Sequence, residues 1–166
     1  MLRPADPADT PALVALADAT GIFRPDEAEA LLRGVLEDLH AGRLGDGHLA
    51  QVWADDPAGP PAGWVYFAPA ALADGVWDLW WIGVAPARQG QGIGGELLRF
   101  VEAHVRAAGG RLLLIETSSL PALEPTQRFY VKHGYTECGR VPDFYADGDD
   151  KVIYAKRMAG RVGGEG

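Results

Sequence analysis

The residues best suited to do chemistry lie in one run, Val84-Ala85-Pro86-Ala87-Arg88-Gln89-Gly90-Gln91-Gly92-Ile93-Gly94-Gly95-Glu96-Leu97-Leu98. An apolar stretch ends, a short proline-bearing loop turns, and a glycine-rich segment runs into a helical pattern. Glycines let a backbone come close to a ligand, and the first turn of a helix exposes N–H groups without internal partners. With the positive end of the helix dipole these groups make an anion site, suited to a pyrophosphate. A merely tight turn is the bland alternative, but so many glycines weaken a helix start unless something must approach it. Two carboxylates could act as bases. Asp78 sits inside Val76-Trp77-Asp78-Leu79-Trp80-Trp81-Ile82-Gly83-Val84, where strand alternation puts it on one face with Trp80 and Ile82. Partial burial in so aromatic a stretch raises a carboxyl pKa toward a useful value. Anchoring a substrate is an equal alternative for Asp78, and Glu116, ending Arg111-Leu112-Leu113-Leu114-Ile115-Glu116, is its rival.

Gly90, Gly92 and Gly95 satisfy G-x-G-x-x-G, and Glu116 follows about where a dinucleotide fold places its ribose-binding acid. That fold, however, leaves its strand almost directly into the first glycine, whereas Ala85 to Gln89 intervene here. It also needs several further βαβ units, and too little chain remains. A G-x-x-x-x-G-K-[ST] phosphate loop is absent.

These residues must be positioned by an ordered set of elements. A short strand near Leu2-Arg3 precedes a helix over about 9–19, and a second helix starts at Pro25, a residue suited to a first helical position. Leu31, Leu32, Val35, Leu36 and Leu39 mark its apolar face. Strands follow at about 48–54, 63–68 and 76–84, the first two joined by the Asp/Pro/Gly-rich turn 55–62. Gly83 hints at a bulge in the third. A helix over 93–108, a strand over 111–116, a helix over 122–133 and strands near 135–141 and 151–157 complete the order β-α-α-β-β-β-α-β-α-β-β, a mixed α/β arrangement. One domain over 1–158 is expected, with a frayed, flexible tail over 159–166.

The chain has 166 residues, is 48% apolar and carries a net charge of −8. An acidic chain is a poor partner for nucleic acid or an anionic membrane, which select positive stripes. No apolar run is long enough to span a membrane. Met1 to Asp9 lacks the basic and apolar segments of a secretory signal, and the single cysteine, Cys138, permits no internal disulfide. A reduced cytoplasm is expected. Cys138 reads as a small core residue, and His40, His48, His104 and His133 show no metal spacing, so no metal is expected. Trp64 and Tyr66 alternate on one strand and could line a substrate wall or pack the core.

Gln89-x-x-Gly92-x-Gly94, after a strand ending in Val84 and before an amphipathic helix, resembles the acyl-CoA pyrophosphate loop of the GNAT superfamily. A second segment, Phe129-Tyr130-Val131-Lys132-His133-Gly134-Tyr135, resembles the F-Y-x-x-x-G-F/Y segment of the same superfamily, and the resemblance covers roughly residues 1–158. Many members carry Asn and Ala seven and four residues before the tyrosine; Leu123 and Thr126 stand there.

The resemblance implies a mostly antiparallel mixed sheet flanked by helices and split beside the third main strand. It implies acetyl-CoA as cofactor, held by Gln89, Gly90, Gln91, Gly92, Ile93, Gly94 and Gly95, with Ile82 and Val84 along the pantetheine arm. It also implies an oxyanion donor near Gly83, and Tyr130 beside the sulfur as the acid for the departing thiolate. Transfer of acetyl to a primary amine by direct attack follows; an acyl-CoA-binding sensor without efficient turnover is the alternative, which would need neither Tyr130 nor Asp78. The segment Asp143-Phe144-Tyr145-Ala146-Asp147-Gly148-Asp149-Asp150, between the last two strands, looks like that of a GNAT subgroup with a D-F-Y-x-x-G-D-D loop. Such an acidic, aromatic loop suits an amine through charge pairing and cation–π contact, which makes Asp143 and Tyr145, with Trp80, candidates for binding a small-molecule or peptide acceptor. A monomer or a homodimer is compatible with an exposed edge strand.

Overall fold

Apolar alternation and helical periodicity translate directly into the elements of the computed structural model, which describes residues 1–159. In chain order these are β1 (Leu2–Pro4), α1 (Thr10–Thr20), α2 (Arg33–His40), β2 (Leu49–Trp53), β3 (Gly63–Pro69), β4 (Val76–Val84), α3 (Ile93–Ala107), β5 (Leu112–Ser118), α4 (Glu124–Lys132), β6 (Thr136–Ala146) and β7 (Asp149–Arg157). The element order is the one expected. The strands form one seven-stranded sheet in the order β1-β2-β3-β4-β5-β7-β6. Strands β4 and β5 run parallel, while β1·β2, β2·β3, β5·β7 and β6·β7 are antiparallel. The tail expected to be flexible lies, from Gly160 on, outside the described residues.

Two compact units share the chain: Met1–Ala68 with Trp81–Val101, and Pro69–Trp80 with the chain from Glu102. The first has a core of Leu13, Leu16, Leu32, Leu36, Val52, Trp64 and Tyr66. Trp64 and Tyr66 are fully buried and lie tilted against Trp81 with ring centres 6.1 and 5.6 Å away, which decides for core packing over a substrate wall. Burial pushes the Tyr66 phenol up to about 12, and its hydroxyl lies 2.8 Å from His48 Nδ1. In the second unit Trp77 meets His104 edge-on, and Glu102, 7% exposed, is satisfied by the Tyr135 hydroxyl at 3.1 Å and the Lys156 ammonium at 3.0 Å.

Three expectations are corrected. The second helix does not start at Pro25. Asp26 has φ +65, outside any right-handed helix, and the Glu27 carboxylate accepts from Arg24 N at 2.9 Å. Helical structure begins with a wide π-helical turn, Ala28–Leu32; its extra residue leaves Leu31 46% exposed while Ala28, Leu32 and Leu36 stay buried. Cys138 is exposed, because β6 shifts register between Glu137 and Gly139. Finally, the stretch 142–150 is no free loop. Strand β6 runs on to Ala146 and pairs it with Asp149, leaving only Asp147 and Gly148 as the turn.

The amino-terminal strand is tied to the start of α1 by Arg3, which donates to Asp9 Oδ2 and Oδ1 at 2.6 and 2.9 Å. The guanidinium bond, helped by Asp6 N–H, holds the Asp9 carboxyl below its usual range against the opposing effect of burial. The folded carboxyl therefore titrates below the unfolded one, so its contribution is complete above the unfolded value near ~4 and fades as pH falls through the folded one. Asp9→Asn should cost about 2 kcal/mol near neutrality and much less in strong acid, as urea melts at the two pH values would read.

Candidate active site

The first unit presents the glycine loop. After β4 a single tight turn, Pro86–Arg88, leads to Gly90 and Gly92, with φ of +78° and +85°. A side chain at either would meet no atom within 4 Å, so glycine is required by backbone conformation. Helix α3 then starts at Ile93, its first internal bond running from Glu96 N–H to Gly92 O at 3.1 Å. The amides of Ile93, Gly94 and Gly95 precede that bond and lie at the positive end of a helix of 15 residues. Ile93 offers only its amide, since its side chain is 2% exposed and packs where Gly63 has no Cβ. Gly83 is accounted for by packing: a Cβ there would lie 3.0 Å from Trp64 Nε1 and 3.3 Å from Leu16 Cδ2. Ile82 and Val84 are half-buried on β4, and the Val84 carbonyl accepts from Gln89 Nε2 at 3.3 Å.

Sequence reasoning missed what braces this loop. Arg88 donates to both carboxylate oxygens of Asp55 at 2.8 and 2.9 Å, and through Nε to Gln91 Oε1 at 3.0 Å. Its guanidinium lies 5.4 Å from the centre of the Trp53 ring, whose Nε1 donates to Glu96 Oε2 at 2.8 Å. Arg88 stood in the quoted run and Asp55 in the quoted turn, but their pairing is a tertiary contact between segments 33 residues apart that neither signals locally.

The second unit presents the titratable groups. Asp78 pairs with Leu114 and Leu79 with Ile115; there the β4·β5 pairing ends, although β4 and β5 both continue. Glu116 lies two residues beyond Leu114 and so shares the face of Asp78. Ser118 is registered with Lys151 across β7, which brings Lys151 to that face as well. Burial, with a smaller contribution from the neighbouring Glu116 charge, raises the Asp78 carboxyl above the usual carboxylate range. Glu116 accepts from Lys151 Nζ at 3.0 Å. Burial and the charges of Glu116 and Asp149 likewise raise the Tyr145 phenol. Trp80 is 40% exposed. Asp143 has φ +53 at the irregularity of β6, accepts from Gly148 N at 2.7 Å and donates its own N–H to Asp150, so it shapes the hairpin.

Tyr130 is on the other side. It is 4% exposed and packs against Phe129, Tyr135 and Tyr154 at 5.6, 6.1 and 5.9 Å. Tyr154 is registered with Ile115, hence faces away from Glu116. Burial, then the Tyr154 phenol, raises the Tyr130 hydroxyl well above its ordinary value. The structure thus brings Asp78, Glu116 and Tyr145 together and sets Tyr130 on the opposite face.

An acetyltransferase (GNAT) domain model matches residues 48–137, more than half of the chain. A GNAT-family protein from Desulfovibrio desulfuricans is 36% identical, with a TM-score of 0.85 over 96% of this chain and 99% of that one. The chain belongs to the GNAT acetyltransferase family. Its fold is shared at lower identity. An aminoglycoside 6′-N-acetyltransferase complexed with coenzyme A is 19% identical, with a TM-score of 0.75 over 98% and 99% of the two chains. The ribosomal-protein-S18-alanine N-acetyltransferase from Escherichia coli is 18% identical, with a TM-score of 0.74 over 98% and 97%. No curated protein matches in sequence. This GNAT enzyme is an acyltransferase that moves an acetyl group from acetyl-CoA to an amine. The glycine loop fits that cofactor, since positive-φ glycines and unpaired helix amides leave an anion cradle free of side chains. Among the described residues no group of side chains could hold a metal, and no helix is long and apolar enough to cross a membrane.

Proposed function

We propose that the acceptor is a primary amine of a cytoplasmic small molecule or peptide, bound on the face that carries Asp78, Trp80, Glu116 and Tyr145, with Asp143 shaping its rim. The chief support is the carboxylate pair: Asp78 is half-buried, its carboxyl raised, beside a second carboxylate and two aromatic side chains. A charged alkylammonium near pH 7 must lose a proton before it attacks, and a carboxylate of raised pKa can take it, directly or through a water. Acetyl-CoA supplies the activated acyl group as a thioester. The amides of Gln89, Gly90, Gln91, Gly92, Ile93, Gly94 and Gly95 hold its pyrophosphate, and Ile82 and Val84 orient its arm through their backbones. A backbone N–H near Gly83 polarises the carbonyl. Tyr130, kept protonated by burial, hands a proton to the departing sulfur. Acid and base on opposite faces suit an amine arriving from one side and a thiolate leaving toward the other. We further assign the chain to a subgroup marked by Asp143-Phe144-Tyr145-x-x-Gly148-Asp149-Asp150, and read residues 1–158 as one functional domain.

Titration with acetyl-CoA, with NAD⁺ as control, followed by an amine screen tests this reading; binding of NAD⁺ instead would end it. Asp78 makes a sharper prediction. A base must be ionised, so kcat/KM should fall as pH drops through the raised Asp78 value, and Asp78→Asn should remove that limb and about 10²-fold of kcat. A rise in amine KM with kcat intact would assign Asp78 to anchoring.

A further inference from the structure

One element of the acceptor face is already filled by the chain itself. Lys151 Nζ sits 3.0 Å from Glu116 Oε2 and 4.1 Å from the centre of the Phe144 ring. Its side chain is 19% exposed, whereas Glu116 is 49% exposed and the Phe144 residue 52%. A carboxylate and an aromatic face around an ammonium form a seat for an alkylammonium cation, and here a lysine occupies it. Phe144 is fixed in turn by Tyr145, edge-on at 4.9 Å.

Asp149 and Asp150, the charged groups that precede Lys151 in sequence, have partners of their own. Asp150 accepts from Arg140 at 3.1 Å and from Asp143 N–H, and Arg140 is shared with Glu137. Asp149, 8% exposed, accepts from the Ser118 hydroxyl. The open face of β4, β5 and β7 carries three carboxylates, Asp78, Glu116 and the buried Asp149, and one ammonium, Lys151. Of the two carboxylates there that reach solvent, Glu116 is paired with Lys151, which leaves Asp78 for one incoming ammonium.

We infer that Lys151 sets the charge of the acceptor: by neutralising Glu116 on the Phe144 seat it makes the face select amines with one positive charge over amines with two. The inference rests on the acceptor face proposed above. A second ammonium on the acceptor must displace Lys151 or remain unpaired, and either costs affinity. Removing Lys151 vacates a ready-made second seat, with Glu116 and the ring in place.

The test compares butylamine with 1,4-diaminobutane as probes, binding to full-length wild type, Lys151→Met and Lys151→Arg by calorimetry. Methionine keeps an apolar stem against Phe144; arginine keeps the charge. Thermal melts confirm that each variant folds. The ratio of diamine to monoamine affinity should rise about fivefold in Lys151→Met, the scale of a half-exposed charge pair, and shrink again with added salt. In Lys151→Arg it should stay at the wild-type value. An unchanged ratio in Lys151→Met, an equal rise in Lys151→Arg, or no diamine binding by Lys151→Met at millimolar concentration overturns the inference. A shifted ratio without acetylation of any amine in a broad screen would count against the catalytic roles proposed above and leave the charge selection standing.

Discussion

Tyr130→Phe should lower kcat by about 10²-fold while leaving the affinity for acetyl-CoA within about threefold of wild type, the lower end of what a general acid contributes. The substitution deletes one oxygen and keeps the ring that packs against Phe129, Tyr135 and Tyr154, so the fold should survive. The direction of the pKa shift agrees with that role. A phenol raised above its ordinary value near ~10 stays protonated across the working range, so it can donate a proton but is a poor base. The wild-type rate should therefore show no alkaline limb from Tyr130 in the accessible range. Steady-state kinetics of the variant, with calorimetry of acetyl-CoA binding alongside, separates this from a packing role. A tyrosine that only packs α4 against the sheet would leave kcat unchanged.

The largest effect on stability should come from Gly110→Ala. Gly110 ends the connection from α3 to β5, and its N–H donates to Val105 O at 2.7 Å. A Cβ there would lie 2.8 Å from Val105 O and 2.9 Å from Trp77 Cδ1, and would overlap Val105 Cγ1 outright. The carbonyl belongs to the last turn of α3 and Trp77 is locked edge-on to His104, so neither can swing aside. Overpacking of this kind costs about 3 kcal/mol, which in a chain of this size lowers Tm by roughly 10 °C. Gly109 next to it makes the control. Its φ is +75 but a Cβ would meet nothing within 4 Å, so Gly109→Ala should carry only backbone strain, about 1 kcal/mol. Equal melting temperatures for the two variants would show that the junction yields more readily than its geometry indicates.

The element order was legible because each strand and helix keeps its own period over several residues; β4 appears with the bounds its aromatic alternation implied. Local conformation outside that rule was not. A π-helical turn has no pattern of its own, and Pro25 followed by two acids reads as a helix start whether or not Asp26 turns left-handed. The Phe144-Tyr145 segment looked like a loop because its bulge breaks the alternation that marks a strand. Within the candidate site, the glycine run did mark backbone that turns left-handed, at Gly90 and Gly92, because that requirement is local. The pairing of Glu116 with Lys151 and of Arg88 with Asp55 was hidden, since each is a tertiary contact between distant segments. Strand register places Tyr130 and Asp78 on opposite faces, which spacing alone could not have told.

The Arg88–Asp55 fork gives the glycine loop a thermodynamic character of its own. The one guanidinium in the loop is held by Asp55 and Gln91, so a pyrophosphate in the proposed cradle would meet oriented amide dipoles and no uncommitted cation of the loop. A loop held in shape before its ligand arrives loses little conformational entropy on binding. Recognition by fixed dipoles also releases few counterions, so such a cradle holds its grip as ionic strength rises, where a lysine or arginine clamp would weaken. On the proposed reading, cofactor binding should therefore change little with salt, whereas the choice of amine, proposed to rest on exposed charges, should respond to it.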